Sequence, residues 1–244
     1  MLELQNPHSV LAALETRPHD IQVVRLPPRG GGEGWNAVER LAERVGVRIE
    51  RLERERREGS DDRADGREGG RTGGAVAVVR EREPVPLGEL FRDPGERGLW
   101  LALDGVQDPH NVGAIFRTAA FFGVRGVVTM RDRAAPLSAV VYDVASGGLE
   151  VVPFALEVNL RRVLELAKAA GVWIVGSAEQ AETAVQDVPR DRPWLLVLGR
   201  EDQGLRRLTL EHCDVVCGIE SRGSLGSLNV SVAAGVLIET LSRP

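Results

Sequence analysis

The chain has two cysteines, Cys213 and Cys217, in 244 residues. So few thiols exclude a disulfide framework. A zinc site asks for about four ligands. Among the 4 histidines only His212 lies close to this pair, so two ordinary buried thiols and no metal are expected. No apolar run approaches the roughly 20 residues that a membrane span requires. The opening Met1-Leu2-Glu3-Leu4-Gln5-Asn6-Pro7 also lacks the basic start and apolar stretch of a secretory signal, so a cytoplasmic protein with no membrane partner is expected. Basic excess is missing as well: the net charge is −5, and Lys168 is the sole lysine among 31 basic residues. Nucleic-acid binding, if present, must then rest on a local patch. There is no GxxxxGK[ST] phosphate loop, no GxGxxG after a strand, no HExxH and no GxSxG. Nucleotide hydrolysis, Rossmann-type redox chemistry and serine hydrolysis are thereby disfavoured.

What is present is a core. Hydrophobic residues make up 43% of the chain, and the length suggests a catalytic domain with a smaller companion. In the first part, helical spacing at Val10, Leu11 and Leu14 precedes the extended run Ile21 to Leu26. A second helix fits Trp35 to Val45, and short strands fit Val47 to Ile49 and Ala75 to Val79. Between them, Arg48 to Arg71 holds eight arginines and eight acidic residues with few apolar side chains, which reads as a solvated insertion because the charges cancel. The proline-bearing segment from Glu81 to Pro94 reads as a spacer. The expected division is therefore a small α/β domain over 1–82 with a flexible insertion at 48–73, a linker over 83–97 and a second domain over 98–244.

Beyond Leu99 the pattern alternates. Strands are expected at Leu99 to Leu103, Gly126 to Met130, Val172 to Gly176, Trp194 to Leu198 and Val215 to Ile219. Helices are expected at Val112 to Phe122, Leu160 to Ala170 and Leu228 to Leu241. Such alternation predicts a mostly parallel sheet covered on both faces, with ligands beyond the carboxyl ends of its strands.

Three loops there carry polar residues in unusual density. After Leu103 comes a segment in which Asn111 is placed to cap a helix, Gly113 permits close backbone approach and Arg117 follows six residues after Asn111. After Leu198 comes Gly199-Arg200-Glu201-Asp202-Gln203-Gly204, a turn bounded by glycines. After Ile219 a Gly/Ser loop enters a helix with little polar surface, expected to be buried, at whose start Ser227 and Asn229 each need a partner or a ligand. Each loop alone also reads as ordinary architecture: a capped helix with a surface arginine, a tight connection, a helix cap.

Together the three resemble the signature motifs of the SpoU/TrmH family of SPOUT methyltransferases: NxGxxxR at Asn111, Gly113 and Arg117, GxExxG at Gly199, Glu201 and Gly204, and SLNVSVAxG from Ser227 to Gly235. The likeness covers roughly Leu99 to Leu241. It implies an α/β fold with a deep C-terminal trefoil knot, S-adenosylmethionine as cofactor, RNA as substrate and a homodimer in which two subunits complete each site. The segments Asp104 to Asn111 and Arg206 to Asp214 look like the branch that methylates a guanosine ribose in 23S ribosomal RNA. Asn6 to Val10 and Gly73 to Ala77 are similar to that branch's ribosomal-protein-like RNA-binding domain, although Thr72-Gly73-Gly74 stands where histidine-glutamine-glycine is usual. Carried over residue by residue, the cofactor would be held by Leu198, Gly199, Arg200, Glu201, Gly204, Ile219, Leu225, Ser227, Leu228 and Asn229, with Ile219 and Leu228 flanking the adenine.

Catalysis is carried over to Arg117, Asn111, Glu201, Ser227 and Asn229. Because a guanidinium keeps its proton, Arg117 is read as holding phosphate and the developing oxyanion rather than as a base. Arg125, Arg131, Arg133 and Arg222 are candidates for RNA phosphates or for solvated surface. Other readings remain beside this one: a tRNA 2'-O-methyltransferase of the same family, a resistance methyltransferase acting on ribosomal RNA, and a non-catalytic RNA-binding ribosome assembly factor.

Overall fold

A computed structural model of the chain describes residues 1–28, 31–52, 74–200 and 203–243. The expected insertion therefore lies largely outside the described residues, as does Glu201. The chain divides into two units, Met1–Glu81 and Arg82–Pro244.

The first unit is a four-stranded sheet in the order β1-β4-β2-β3, with β1 at Leu2–Leu4, β2 at Ile21–Leu26, β3 at Ile49–Arg51 and β4 at Val76–Val79. Helices α1 (Pro7–Thr16) and α2 (Glu33–Val45) pack on each other, and α2 also packs on β2 and β3. Their apolar stripes explain this: Val10, Ala13 and Leu14 of α1 and Trp35, Val38, Leu41 and Ala42 of α2 are buried. Asn6 caps α1 by accepting the His8 amide at 2.9 Å, with Pro7 in the first turn. Gly46, left-handed at φ 76°, closes α2 and lets the chain turn back into β3.

In the second unit the strands are β5 (Leu99–Leu103), β6 (Gly126–Met130), β7 (Phe154–Glu157), β8 (Trp173–Ser177), β9 (Thr183–Ala184), β10 (Trp194–Leu198) and β11 (Val215–Gly218). They form one sheet in the order β7-β6-β5-β10-β8-β11-β9, parallel throughout. The helices are α3 (Leu87–Leu90), α4 (Pro109–Phe121), α5 (Ala139–Ala145), α6 (Gly148–Val151), α7 (Leu160–Ala169), α8 (Arg207–Leu210) and α9 (Val230–Ser242). Every residue of β5, β6 and β10 is buried, as expected of strands covered on both faces. One face joins Trp100, Ala102, Val128, Leu195 and Val197 to Val163, Leu164 and Ala167 of α7. On the other face α9 packs on β5 and α4, and Phe116 of α4 meets Phe154 edge-on at 6.2 Å.

Two expectations change here. Residues read as a spacer join the core of this unit: Leu87, Leu90 and Phe91 are buried, and the Trp100 indole donates to the Leu90 carbonyl at 2.8 Å. The prolines bound a single helical turn rather than a free linker. The last helix is also not buried all round, because Val232 is 53% and Val236 39% exposed while Ala234, Leu237, Ile238 and Leu241 are buried.

Candidate active site

Register brings the loops together. Val197 of β10 pairs with Gly176 of β8, and Cys217 of β11 pairs with Ser177, so the three strands end side by side. Because they are parallel, their following loops leave the same edge. There they enclose a cavity of about 540 Å³.

Each wall has a local cause. Arg200 and Gly204 exchange backbone hydrogen bonds at 3.2 and 2.9 Å, closing the second loop on itself. A Cβ at Gly199 would stand 2.3 Å from the Gly204 carbonyl carbon, so only glycine permits that closure. At the end of β11, a Cβ at Gly218 would stand 2.7 Å from the Ala178 carbonyl oxygen, which lets the third loop pass against the loop after β8. Ser221 Oγ donates to the Leu225 carbonyl at 2.6 Å and folds the third loop inward. The first loop braces the second from outside the cavity: the Asp104 amide donates to the Leu198 carbonyl at 2.8 Å.

Of the expected cofactor residues, Leu198, Gly199, Arg200, Gly204, Ile219, Leu225, Ser227 and Leu228 line this cavity. Asn229 does not; it caps α9, accepting from the Ser231 amide at 2.9 Å and the Ser231 hydroxyl at 2.6 Å. Asn111 and Arg117 are also absent from the lining. The expectation that Asn111 caps α4 is corrected: Asp108 is the cap, accepting from the His110 amide at 2.9 Å, and Asn111 is buried within the first turn. Proline at the first helical position moves the start ahead of Asn111. Arg117 is exposed, and its Nη1 donates to Ser146 Oγ at 3.3 Å.

Sequence reasoning missed Ser177, Ala178 and Glu179, which line the cavity after β8. Strand β8 was legible, but its loop has no glycine motif, and its place between β10 and β11 is invisible in the sequence order. Among the arginines considered for RNA, Arg125 is engaged structurally: it donates to the carbonyls of Asp93 and Pro94 at 3.0 and 2.5 Å and lies 5.3 Å over Trp100. Arg131, Arg133 and Arg222 are exposed. The two thiols are protonated at neutral pH. Burial, then the Asp214 carboxylate, pushes Cys213 up to about 11, and burial, then Cys213, pushes Cys217 to about 11.

A parallel sheet with a cavity cradled by glycine-closed loops at one edge defines an α/β domain that seats a small ligand. The chain belongs to the SpoU rRNA methylase family, whose profile matches residues 98–239. It is 40% identical over 239 residues to the 23S rRNA (guanosine-2'-O-)-methyltransferase RlmB of Nitrosomonas europaea, covering 97% of this chain and 89% of that one. Among solved structures it resembles the SpoU methyltransferase AviRb of Streptomyces viridochromogenes, with TM-score 0.79, 22% identity and coverage of 99% and 88%. It also resembles an AdoMet-bound rRNA methyltransferase of Sinorhizobium meliloti, with TM-score 0.74, 21% identity and coverage of 98% and 86%. At these identities the likeness to the solved structures is one of fold.

Proposed function

We propose that this chain transfers a methyl group from S-adenosylmethionine to a ribose 2'-hydroxyl of RNA, and that the ribose belongs to a guanosine of 23S ribosomal RNA. The observation that carries the reading is the cavity built from the second and third signature loops. Its volume of about 540 Å³ suits a cofactor of this size, since ligand pockets run from roughly 300 to 1,000 Å³. Leu198, Ile219 and Leu228 offer apolar walls to an adenine, while Arg200 and Glu220 offer both signs of charge to an amino acid's two termini. The ribosomal target rests on the Nitrosomonas europaea relative, which aligns over almost the whole chain.

Bound there, S-adenosylmethionine supplies an electrophilic methyl group on a sulfonium. The work left to the chain is to exclude water, align the ribose oxygen and stabilise its incipient charge. Arg117 has the permanent positive charge for that last task, and its position on α4 puts it outside its own chain's cavity. We therefore read the enzyme as a homodimer in which Arg117 of one copy serves the cavity of the other. The exposed Val232 and Val236 on α9 support such pairing. Strands β10 and β11 come late in the chain, yet β10 lies between β5 and β8 and β11 between β8 and β9; the trefoil knot is carried over from the family and not from this order. The first unit is read as the RNA-binding domain, and Ser227 as a contact to the ribose or the arginine.

The test is methyl incorporation from labelled S-adenosylmethionine into unmodified 23S ribosomal RNA and into tRNA. Label on the 2'-oxygen of one 23S guanosine is expected. Label in tRNA instead would overturn the target, and absence of both label and calorimetric S-adenosylmethionine binding would overturn the activity. Arg117→Ala is expected to lower kcat by roughly 100-fold or more, as loss of an oxyanion-stabilising group does, with S-adenosylmethionine affinity unchanged.

A further inference from the structure

We infer that Ser146 is a positioning residue for Arg117, fixing the orientation in which the guanidinium meets the RNA; this rests on the role given to Arg117 above. Gly113 and Arg117 lie four residues apart on α4 and so share one face. That face is pressed against α5, α6 and the turn between them. A Cβ at Gly113 would stand 2.7 Å from Val144 Cβ and 2.8 Å from the Val141 carbonyl oxygen. A Cβ at Gly148 would stand 2.6 Å from the Phe116 carbonyl oxygen and 2.9 Å from Arg117 Cα. Glycine on both partners therefore lets the turn close directly onto the backbone that carries the arginine.

Ser146 occupies this turn in the left-handed conformation, φ 49° and ψ 43°. Among the described residues, Arg133 is the one other non-glycine residue with positive φ. Glycine would adopt that conformation with less strain, so a side chain there costs the fold something and offers only its hydroxyl in return. That hydroxyl lies 3.4 Å from the carbonyl oxygens of Asp143 and Val144, to either of which it can donate. With its proton so directed, Oγ presents lone pairs to Arg117 Nη1, which donates to it at 3.3 Å. An exposed arginine otherwise samples many rotamers, and one acceptor held rigidly by the backbone narrows that set.

The substitution that removes the hydroxyl is also the one that relieves the strain. Ser146→Gly is expected to melt at or above the wild-type temperature and to bind S-adenosylmethionine with unchanged affinity. Its kcat should fall roughly tenfold, the scale of one hydrogen bond to a charged group, with the RNA KM moving less. Ser146→Asn tolerates left-handed backbone and brings a side-chain oxygen, so it should recover most of the lost kcat. Wild-type kcat in Ser146→Gly would overturn the inference, as would a kcat loss accompanied by a lowered melting temperature, or failure of Ser146→Asn to recover activity. Arg117→Ala run in parallel separates the two readings: if it too is fully active, the role of Arg117 falls first; if it alone is inactive, only the role of Ser146 falls.

Discussion

Gly199 has room for a hydrogen and nothing larger. A methyl group there would collide with main chain at 2.3 Å, so Gly199→Ala must either open the turn that Arg200 and Gly204 close or distort β10. A cost of about 1–3 kcal/mol is expected, as for other overpacked sites. S-adenosylmethionine affinity should fall with it, as calorimetry of the variant would show. Gly88→Ala is the control, because a Cβ there meets no atom within 4 Å and Gly88 does not line the cavity. The thiols give a second residue-scale prediction. Their folded values of about 11 lie above the ordinary 9.0, so the folded chain keeps protons that the unfolded chain releases in between. The stabilisation tied to those protons is complete below 9.0 and is lost as pH rises toward 11. Urea midpoints measured across that window should decline less steeply for Cys213→Ala/Cys217→Ala than for wild type. Equal slopes would contradict the assignment.

Helix α9 separates what local pattern reveals from what it hides. Its polar start was legible, with capping among the readings it allowed, and Asn229 is that cap, spending its side-chain oxygen on the Ser231 amide and hydroxyl. Asn229→Ala should therefore cost about 0.5–2 kcal/mol in stability, in addition to any effect on catalysis, and a thermal melt measures the first alone. The helix's apolar surplus invited the reading that it is enclosed on all sides, whereas Val232 and Val236 face outward. A sequence cannot distinguish a face covered by its own chain from one left for a second copy. If the proposed homodimer pairs through this face, Val232→Glu is expected to shift light scattering from dimer to monomer and to remove activity with it; a dimer that persists would place the interface elsewhere, and a monomeric wild type would overturn the pairing. The buried strands were readable because β5 and β10 are apolar without a break and Thr129 is the one polar side chain in β6. Strand β9, two residues long, and helices α5 and α6, which pack on α4, lack the length that periodicity needs.

For the whole molecule, the cavity depends on an order of strands that composition does not encode. Three loops rich in glycine and polar residues marked two of the walls in the sequence, and the third wall, after β8, became visible only once β10 and β11 were placed on either side of it. Every described wall of that cavity comes from the unit Arg82–Pro244. Its core extends back to Leu87, Leu90 and Phe91, so a cut at the expected boundary near residue 98 would strip buried side chains, whereas a cut after Glu81 would not. A fragment of residues 82–244 is accordingly expected to fold cooperatively and to bind S-adenosylmethionine as the full chain does, while a fragment of 98–244 should melt lower and bind more weakly. If the first unit recognises RNA, the longer fragment should also lose ribosomal RNA affinity without losing cofactor affinity. Filter binding and calorimetry on the same preparation distinguish these outcomes, and undiminished RNA affinity in the 82–244 fragment would return recognition to the arginines of the catalytic unit.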